Sequence, residues 1–559
     1  MFISKTMPIP KTISDNLRFL LVEVRAQQQY LQTWFDYESA GIAERIFSRR
    51  GYTHNLALRI QNSCAEHMLQ QVHDDKQSPA ASSDSMRLRA MASMAADLER
   101  MADLSRDCMH QLQELRPSHR LNLSAYLPLL DLVATSIDVI EDAVLDRDTE
   151  LALKLGRLVS RQKSACQKLL KKTTAQLQRR KYTDDLVTGL FVAYSIKQMG
   201  DVLLKISESI IATNMGQPMD MQRLHSLQET ISDWADDVTV ADVDIRQVAE
   251  TRSGSGISAI NYTDGDQGEH LAIFKDGEKR KLKEELEGVK RWHHLVPGIA
   301  PQILRYKKNG DSATLLIEHL QGVTFEHVVL HESIKTMSAC MQALAKTLYS
   351  AWGNTRKKKI VAAEFIAQTR KRLADVYAIH PDFRRSQLQI CGTKIGSFAS
   401  LLNAAEKIEK QFPPPFSVLI HGDFNVDNII YDPQKDHIHF IDLHRSTHMD
   451  YVQDVSVLMV SYYRLQVLDA PIRRRISKQV IDFYHIARRF AEAEHDSGFE
   501  VRLALGLARS FVTSTRFIMD QSMAARMFLR ADYLLRQVIA IDVQQTNKYK
   551  VPVRRLFGG

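Results

Sequence analysis

The sequence has few cysteines and no long apolar stretch, and both features limit what the protein can be. Five cysteines are scattered over 559 residues without a C-x-x-C pair. This argues against a disulfide framework and a cysteine zinc site, and it favours a reducing compartment. No uninterrupted apolar run reaches membrane-spanning length, and the first residues lack the apolar segment of a secretory signal. We therefore expect a cytoplasmic protein without a transmembrane segment.

Charge of one sign is not concentrated in any long segment. The net charge is +8 and the pI is about 9.0, but the basic residues form short, separate clusters. Such clusters are typical of solvated faces, so nucleic acid is not an expected partner. The hydrophobic share of 44% and the charged share of 25% are globular values. Because 559 residues exceed one ordinary core, we expect two or three domains.

Proline is rare in the first part of the chain, where apolar residues recur at helical spacing. Long amphipathic helices joined by short breaks predict a helical bundle. The candidate helices span residues 14–35, 41–72, 84–115, 128–145, 148–179 and 183–214. A similar segment ends at Asp103 and again at Asp201, which gives a period of 201 − 103 = 98 residues. The period predicts two similar three-helix units.

This helical part resembles the PhoU family of phosphate-signalling regulators. Those proteins carry two three-helix repeats, each with an E-x-x-x-D element, and here Glu99 and Asp103 match that element. Residues at i and i+4 share a helix face, so the two carboxylates can approach one cation, or they can line a solvated face. The resemblance implies a metal site at Glu99 and Asp103. In the second repeat Lys197 replaces the acidic residue, which argues against a second cluster.

The most informative motif lies in the second half of the chain. His421-Gly422-Asp423 is followed by Asn428, then by an apolar pair, a predicted hairpin and Asp442. Phosphoryl transfer needs a group that orients the acceptor hydroxyl and oxygen ligands for Mg²⁺, and kinase catalytic loops supply them at this spacing. Ordinary Asx turns around a hairpin are the alternative, but they do not account for the joint pattern. We therefore predict Asp423 as the catalytic residue and Asn428 and Asp442 as Mg²⁺ ligands.

The same segment resembles the family of aminoglycoside and choline phosphotransferases, whose loop reads H-G-D where protein kinases read H-R-D. Leu443 and His444 follow Asp442 in place of Phe-Gly, which also resembles the small-molecule branch. By this resemblance Asp454 is structural, and ATP and Mg²⁺ are the expected cofactors. The charges of the last helices are mixed rather than strongly acidic, so they do not indicate a polycationic acceptor.

Upstream of this motif the sequence predicts the nucleotide-binding part of a kinase. A predicted strand ends at Lys275, and Glu285 lies beside the apolar face of the following predicted helix. Gly254, Ser255 and Gly256 belong to a loop whose backbone N–H groups can approach phosphate. Taken singly, these residues also fit surface charges and an ordinary Gly-Ser turn. Their order before the catalytic loop favours a Lys275–Glu285 pair and a glycine loop that position the nucleotide.

These observations predict a multidomain protein, with tandem all-α three-helix bundles followed by a two-lobed α+β fold of the protein-kinase type. The expected divisions are a helical domain at 13–218, a linker at 219–249, a kinase-like domain at 250–545 and a flexible tail at 546–559.

Two functional hypotheses remain open at this point. The first is an ATP- and Mg²⁺-dependent phosphotransferase that acts on a hydroxyl of a small molecule. The second is a phosphate-homeostasis regulator whose kinase-like half senses nucleotide, with a phosphate transporter or a sensor kinase as partner. A combination, in which the helical bundles gate the kinase, is a third option. Neither the acceptor nor the oligomeric state follows from the sequence, and a homo-oligomer is one option.

Overall fold

The computed structural model describes most of the chain. The described residues are 9–73, 79–146, 148–215, 221–232, 234, 243–250, 256–264, 268–384, 386–390, 393–467, 469–542 and 548–558. Contacts between Cα atoms divide the chain into two compact units. The first reaches to Glu250 and includes Ile257–His270, and the second includes Gly256 and runs from Leu271 onward.

Long helices make up most of the first unit. They are α1 (Lys11–Tyr37), α2 (Ala40–Ser48), α3 (Arg50–His73), α4 (Pro79–Gln113), α5 (Leu127–Asp138), α6 (Ile140–Leu145), α7 (Thr149–Leu177) and α8 (Thr183–Met215). The second and fourth predicted helices are each divided in two, at Arg49 and at Val139. At the first break the Arg49 guanidinium pairs with the buried Glu23 carboxylate at 2.5 Å, which holds the chain where α2 ends.

The helices of the first unit form two groups, and each group consists of three helical segments. Helix α4 packs against α3 and α1, helix α8 packs against α7 and α5, and α4 and α8 lie against each other. Leu98 and Met101 of α4 and Ile196 and Leu203 of α8 are buried. Their spacing of three or seven residues places each pair on one helix face. The predicted pair of three-helix bundles is confirmed.

One stretch of this unit is apolar and long enough to cross a membrane by composition alone. It spans Leu123–Leu145 and has a mean hydropathy of 1.5. In the fold it comprises a short 3-10 turn followed by α5 and α6, which pack against α1, α7 and α8. Its most apolar window is 56% buried, as a core helix of a bundle would be.

The first unit ends with helix α9 (Met221–Ser232) and strands β1 (Asp244–Glu250) and β2 (Gly256–Asp264). Arg223 of α9 donates a hydrogen bond from Nη2 to Ser258 Oγ of β2 at 3.0 Å, and both side chains are buried. This bond joins β2 to α9.

The second unit begins with a small antiparallel sheet covered by a helix. Strands β3 (Gly268–Glu278), β4 (Ile303–Asn309) and β5 (Ser312–Glu318) pair in the order β3-β5-β4. Helix α10 (Lys279–Leu295) packs on β5 and β4, and Leu282 of α10 shares a small core with Leu315. The pairing sets Lys275 of β3 opposite Leu315.

The larger part of the second unit is helical and carries short strands. Its remaining strands are β6 (Val323–Thr324), β7 (Leu388–Ile390), β8 (Thr393–Ile395), β9 (Val418–Ile420), β10 (Ile429–Asp432), β11 (His437–Phe440) and β12 (Thr447–Met449). The predicted hairpin is β10–β11, which pairs Ile429 with Phe440. Strand β9 pairs with β12, and the predicted catalytic loop occupies the segment between β9 and β10.

The helices of this part enclose one large apolar core. They are α11 (Phe325–His331), α12 (Ile334–Thr355), α13 (Phe365–Ile379), α14 (Phe398–Glu409), α15 (Val452–Tyr463), α16 (Ala470–Ala493), α17 (Phe499–Thr515), α18 (Gln521–Ile539) and α19 (Val553–Phe557). Local sequence sets several of their starts. Asp469 and Asp520 accept hydrogen bonds from the backbone N–H groups at the beginning of α16 and α18.

The end of the chain differs from the expectation of a flexible tail. Residues 548–558 pack against the second unit, and Val551, Val553, Leu556 and Phe557 are buried. The Val551 N–H donates to Glu500 Oε2 at 2.9 Å, and the Arg530 side chain donates to the Leu556 carbonyl at 2.7 Å. The apolar residues of this short segment complete the core. In the sequence, the basic residues between them made the segment resemble a flexible tail.

Candidate active site

The segment after β9 is fastened to the first turn of α15. The backbone N–H groups of His421 and Gly422 donate to the two carboxylate oxygens of Asp454, at 2.6 and 2.9 Å. Burial raises the pKa of Asp454 to about 7, while these two hydrogen bonds act to lower it. Gly422 has φ +84°, and a Cβ atom there would lie 2.4 Å from the Arg445 carbonyl oxygen. Glycine is therefore required at this turn.

His421 braces the loop from inside the core. Its side chain is fully buried, and burial lowers its pKa, so the imidazole is neutral near pH 7. Nε2 lies 2.9 Å from the Ile441 carbonyl oxygen, and Nδ1 accepts from the Asp423 N–H at 3.3 Å. A neutral ring that carries its proton on Nε2 satisfies both contacts. His421 thus connects the loop to the segment that carries Asp442.

The Asp423 carboxylate is partly exposed and held from two sides. Asn425 Nδ2 donates to its Oδ1 at 2.8 Å, and Arg445 Nη1 lies 3.3 Å from its Oδ2. Asn428 Nδ2 donates to the Asp423 backbone carbonyl at 2.8 Å, which closes the loop on itself. A carboxylate fixed in this way and open to solvent can receive a proton from a bound hydroxyl.

Lys275 and Glu285 form the ion pair expected from the sequence, between Lys275 Nζ and Glu285 Oε1. Both side chains are buried. Burial acts to lower the pKa of Lys275, but the carboxylates of Glu285 and Asp442 outweigh it and raise the pKa above its ordinary value. The lysine is therefore charged and lies within the electrostatic reach of Asp442.

Asp442 follows β11 in a left-handed backbone conformation, with φ +61°. Burial acts to raise its pKa, but the hydrogen bond from His444 Nδ1 at 2.9 Å and the charges of Lys275 and His444 hold the pKa below its usual range. Helix α10 lies close behind this turn, because a Cβ atom on Gly288 would lie 2.2 Å from the Leu443 carbonyl oxygen. This close approach positions the helix that carries Glu285.

The oxygen atoms of Asn428 and Asp442 fit a divalent cation. The amide nitrogen of Asn428 donates within the loop, and its Oδ1 is the oxygen that could coordinate a cation. Asp442 is held in its charged form and has a second carboxylate oxygen besides the one bonded to His444. Mg²⁺ takes one or two protein oxygens together with phosphate oxygens and water, so this donor set is sufficient for it. Within the described ranges there is no group of three or more His, Cys, Asp or Glu residues that could hold a metal ion.

The structure describes only part of the predicted glycine loop. Gly254 and Ser255 lie outside the described residues, and Gly256 is the first residue of β2. Lys275, Glu285, Asp423, Asn428 and Asp442 all belong to the second unit. Their contacts connect β3, α10, the loop after β9 and the turn after β11.

The carboxylates proposed for a metal in the helical unit have other partners. Glu99 Oε1 lies 2.8 Å from His54 Nδ1, and Asp103 pairs with Arg106 one turn along α4. Lys197 lies 3.5 Å from Asp201 in the second repeat, as its charge implies. Glu99 and Asp103 thus have side-chain partners in this structure, and the metal site implied by the PhoU resemblance stays a prediction.

Three residues of the site were missed by sequence reasoning. Asn425 and Arg445 contact the Asp423 carboxylate, and His444 contacts Asp442. Asn425 lies inside the motif, so its position two residues after Asp423 was an available signal. His444 and Arg445 follow Asp442 in a short turn; His444 was noted there only as a departure from Phe-Gly, and nothing in the sequence distinguishes Arg445 from an ordinary loop residue.

A cavity of about 330 Å³ lies beside the catalytic loop. Its lining includes Val426 and Asp427 of the loop, Glu326 of α11, and Arg464 after α15. The Arg464 guanidinium donates to Asn425 Oδ1 at 2.9 Å, so the cavity is connected to the residue that orients Asp423. This cavity has the size and position of a site for a small molecule.

Phosphoryl transfer is the chemistry that this arrangement serves, because it requires positioned charges and a proton acceptor and little covalent work from the protein. The fold and the site define a kinase-like phosphotransferase unit. A family comparison agrees with this class. Residues 251–489 match the model of the phosphotransferase enzyme family, so the carboxy-terminal part of the chain carries a domain of that family.

Solved structures resemble each part of the chain. The phosphate transport system regulatory protein PhoU from Streptococcus pneumoniae is 14% identical, with 37% of this chain and 96% of that chain covered and a TM-score of 0.34. An aminoglycoside-3'-phosphotransferase of type VIII is 15% identical, with 51% and 97% covered and a TM-score of 0.34. The Plasmodium vivax ethanolamine kinase is 12% identical, with 56% and 87% covered and a TM-score of 0.34. With TM-scores below 0.5, none of these likenesses establishes a function for this chain. No curated protein matches the chain by sequence.

Proposed function

We propose that the protein transfers the γ-phosphoryl group of ATP to a hydroxyl of a small molecule, with Mg²⁺ as cofactor. The observation that carries the proposal is the joint placement of the Lys275–Glu285 pair, the held Asp423 carboxylate and the charged Asp442 in one unit. These are the groups that a kinase needs to hold a nucleotide and to activate a hydroxyl. ATP use agrees with the cytoplasmic location expected from the scattered cysteines.

In this reaction the acceptor hydroxyl oxygen forms a bond to the γ-phosphorus, the bond from that phosphorus to the bridging oxygen of ADP breaks, and ADP leaves. Asp423 receives the hydroxyl proton. Asn425 and Arg445 fix the direction of its carboxylate, so the proton acceptor is already oriented when the substrate arrives. Lys275 places a positive charge beside the nucleotide phosphates.

Asn428 and Asp442 would hold Mg²⁺, which supplies neutralisation of the phosphate charge when bound. The left-handed turn at Asp442 and its hydrogen bond from His444 aim this carboxylate. Because the work of the protein is positioning and charge neutralisation, small displacements of these residues should reduce turnover strongly.

The test is ATP consumption by the purified full chain across sugars, amino alcohols, aminoglycosides and nucleosides. Wild type is compared with Asp423→Asn and with Asp532→Asn, which changes an α18 carboxylate that pairs with Arg536. We expect acceptor-dependent turnover that Asp423→Asn removes and Asp532→Asn retains. Equal turnover in all three proteins would reject the role of Asp423.

A second candidate is a regulatory function of the helical unit. Two three-helix bundles precede the phosphotransferase unit in the same chain, and the resemblance of their sequence to phosphate-signalling regulators favours gating or partner binding. Phosphate transporters and sensor kinases are the partners implied. The test is ATP turnover with and without phosphate and divalent metals, together with partner capture by Asp423→Asn. Capture that survives this substitution would favour regulation, whereas capture that requires turnover would favour the enzyme.

A further inference from the structure

Helix α15 carries side chains that hold the loop between β9 and β10. In its first turn, the Asp454 carboxylate accepts hydrogen bonds from two backbone N–H groups of that loop. Near its end, Ser461 Oγ accepts from the Val426 N–H at 2.9 Å, and both residues are buried. The helix therefore fixes the loop before and after Asp423. The residue that directly follows the helix is Arg464.

The backbone on both sides of Arg464 is held in place. Arg473 of α16 donates from Nη1 to the carbonyl oxygens of Leu465 and Tyr463, at 3.0 and 3.3 Å. Within the part of the chain that the structure describes, the Arg464 guanidinium forms no ion pair. Its hydrogen bond goes from Nη2 to Asn425 Oδ1 at 2.9 Å. The position of this guanidinium is therefore set by the end of α15 and by the loop.

The contact with Arg464 determines which way the Asn425 amide faces. A guanidinium can only donate, so the amide atom opposite it has to be the oxygen. The amide nitrogen then lies on the other side, where it donates to Asp423 Oδ1 at 2.8 Å. An ionised carboxylate can only accept, so this orientation of the amide satisfies both contacts and the reverse orientation satisfies neither. The donor at one end and the acceptor at the other therefore fix the amide.

The other side-chain contact of the Asp423 carboxylate is less well fixed. Arg445 Nη1 lies 3.3 Å from Asp423 Oδ2, and the Arg445 side chain is 54% exposed. Solvent competes with an exposed ion pair and weakens it. The direction of the carboxylate therefore depends mainly on Asn425. Without Arg464, the amide of Asn425 would be free to turn over and present its oxygen to the carboxylate.

We propose that Arg464 is a positioning residue for the phosphoryl transfer, which acts on Asp423 through Asn425. This inference rests on the proposed function and adds a residue to the same site. Arg464 also lines the cavity beside the loop. An acceptor that binds in this cavity therefore lies against the side chain that orients the proton acceptor.

The first experiment measures kcat at saturating ATP and acceptor, at a temperature where each variant is folded. Arg464→Met keeps an apolar stem of similar length and loses the donors. Its kcat should fall by about 10- to 100-fold, as when a catalytic group loses its support, with an unchanged KM for ATP. Arg464→Lys keeps a group that can only donate and should retain most of the turnover. Arg536→Met is the matched control, because Arg536 lies in the last turn of α18 and pairs with Asp532 at 2.6 Å.

A double-mutant cycle tests whether Arg464 acts through Asn425. Asn425→Ala removes the amide, so adding Arg464→Met to it should change kcat by no more than about twofold. Two results would overturn the inference while leaving the proposed function intact. One is a wild-type kcat in Arg464→Met. The other is an equal loss of kcat on adding Arg464→Met to wild type and to Asn425→Ala, which would show that Arg464 acts independently of the amide.

A measurement without turnover separates this inference from the proposed function. The full chain is labelled with ¹⁵N-asparagine, and the side-chain amide signal of Asn425 is identified by its loss in Asn425→Ala. Its Nδ2 protons should exchange with water at least about tenfold faster in Arg464→Met than in wild type and Arg536→Met, the usual effect of losing a hydrogen bond to a charged group. Equal exchange rates in all three proteins would overturn the inference. Rates that depend on Arg464, in a protein that phosphorylates no acceptor, would retain the contacts from Arg464 to Asp423 and reject the proposed function.

Discussion

Gly422 provides a sharp test of how the catalytic loop is held, because a second glycine in the same unit has the same backbone angle without its crowding. Gly422 has φ +84°, and a Cβ there would lie 2.4 Å from the Arg445 carbonyl oxygen, which is a backbone atom. Gly298 has φ +83°, and a Cβ there would meet no atom within 4 Å. Alanine at either position suffers the same backbone strain, about 1–2 kcal/mol.

Only Gly422→Ala adds the steric conflict, for which overpacking costs about 1–3 kcal/mol more. The loop has to move away from Arg445, and that movement disturbs the hydrogen bonds of Asp454 and the orientation of Asp423. We therefore expect Gly298→Ala to lower the free energy of unfolding modestly with full turnover. Gly422→Ala should lower it further and reduce kcat by at least about 100-fold, as misplacement of a catalytic group does.

The assay is urea unfolding of both full-length variants, followed by ATP turnover with the best acceptor under conditions where each variant is folded. Equal losses of stability and equal activity in Gly422→Ala and Gly298→Ala would refute the reasoning, because the close contact with the Arg445 carbonyl would then have no consequence.

Three further outcomes are expected. Glu285→Gln removes the carboxylate that pairs with the buried Lys275, so the KM for ATP should rise about tenfold. The control Glu284→Gln changes an exposed carboxylate and should leave this KM unchanged. Equal KM values for ATP in the two variants, measured by steady-state kinetics, would count against a role of the Lys275–Glu285 pair. Asp454 has a pKa of about 7 in the fold and 3.8 as its ordinary value, so its contribution to stability is present below about pH 4 and is lost as the pH rises through 7. Asp454→Asn should remove that slope from the unfolding free energy measured between pH 4 and pH 8, and an unchanged slope would show that another group causes it. Phe557→Ala should lower the free energy of unfolding by about 3–5 kcal/mol with little change in kcat, and an unaltered unfolding midpoint would mean that the end of the chain does not contribute to the core.

The parts of the site that could be predicted are those fixed by short-range spacing. Asp423 and Asn428 occupy one loop, and Asp442 follows the hairpin that this loop begins. Lys275 lies in the last part of β3, which continues to Glu278, and the helix of Glu285 begins at Lys279. Alternation of apolar residues was sufficient to place that hairpin and the helices, because each element buries one face.

The remaining features depend on contacts between distant parts of the chain. Arg464 lies 464 − 425 = 39 residues after Asn425, and only the packing of α15 brings its guanidinium to the loop, where it donates to Asn425 Oδ1. The pairing of Asp103 with Arg106 is local, three residues along α4, but the sequence left it open because Asp103 fits a solvated helix face and a metal site alike. The helix breaks fall at Arg49 and Val139, which are neither proline nor glycine, although Gly51 follows the first break by two residues.

The packed end of the chain shows a further limit of composition. Residues 548–558 contain several basic side chains and end in glycine, which is typical of a mobile terminus. In the fold the apolar side chains between the charges, including Leu556 and Phe557, enter the core of the second unit. Burial of four apolar side chains holds this short segment against the second unit, because the basic side chains between them can remain in solvent.

The most direct test of the central claim is to follow the phosphorus atom itself. The full-length protein is incubated with ATP, Mg²⁺ and the acceptor identified in the panel, and ³¹P nuclear magnetic resonance records whether a phosphate ester of that acceptor appears together with ADP. We predict a new ester signal with wild type and, with Asp423→Asn, a rate lower by at least about 100-fold, the usual contribution of a general base. Formation of the ester at the wild-type rate by Asp423→Asn, or release of inorganic phosphate without an ester in wild type, would contradict the assignment.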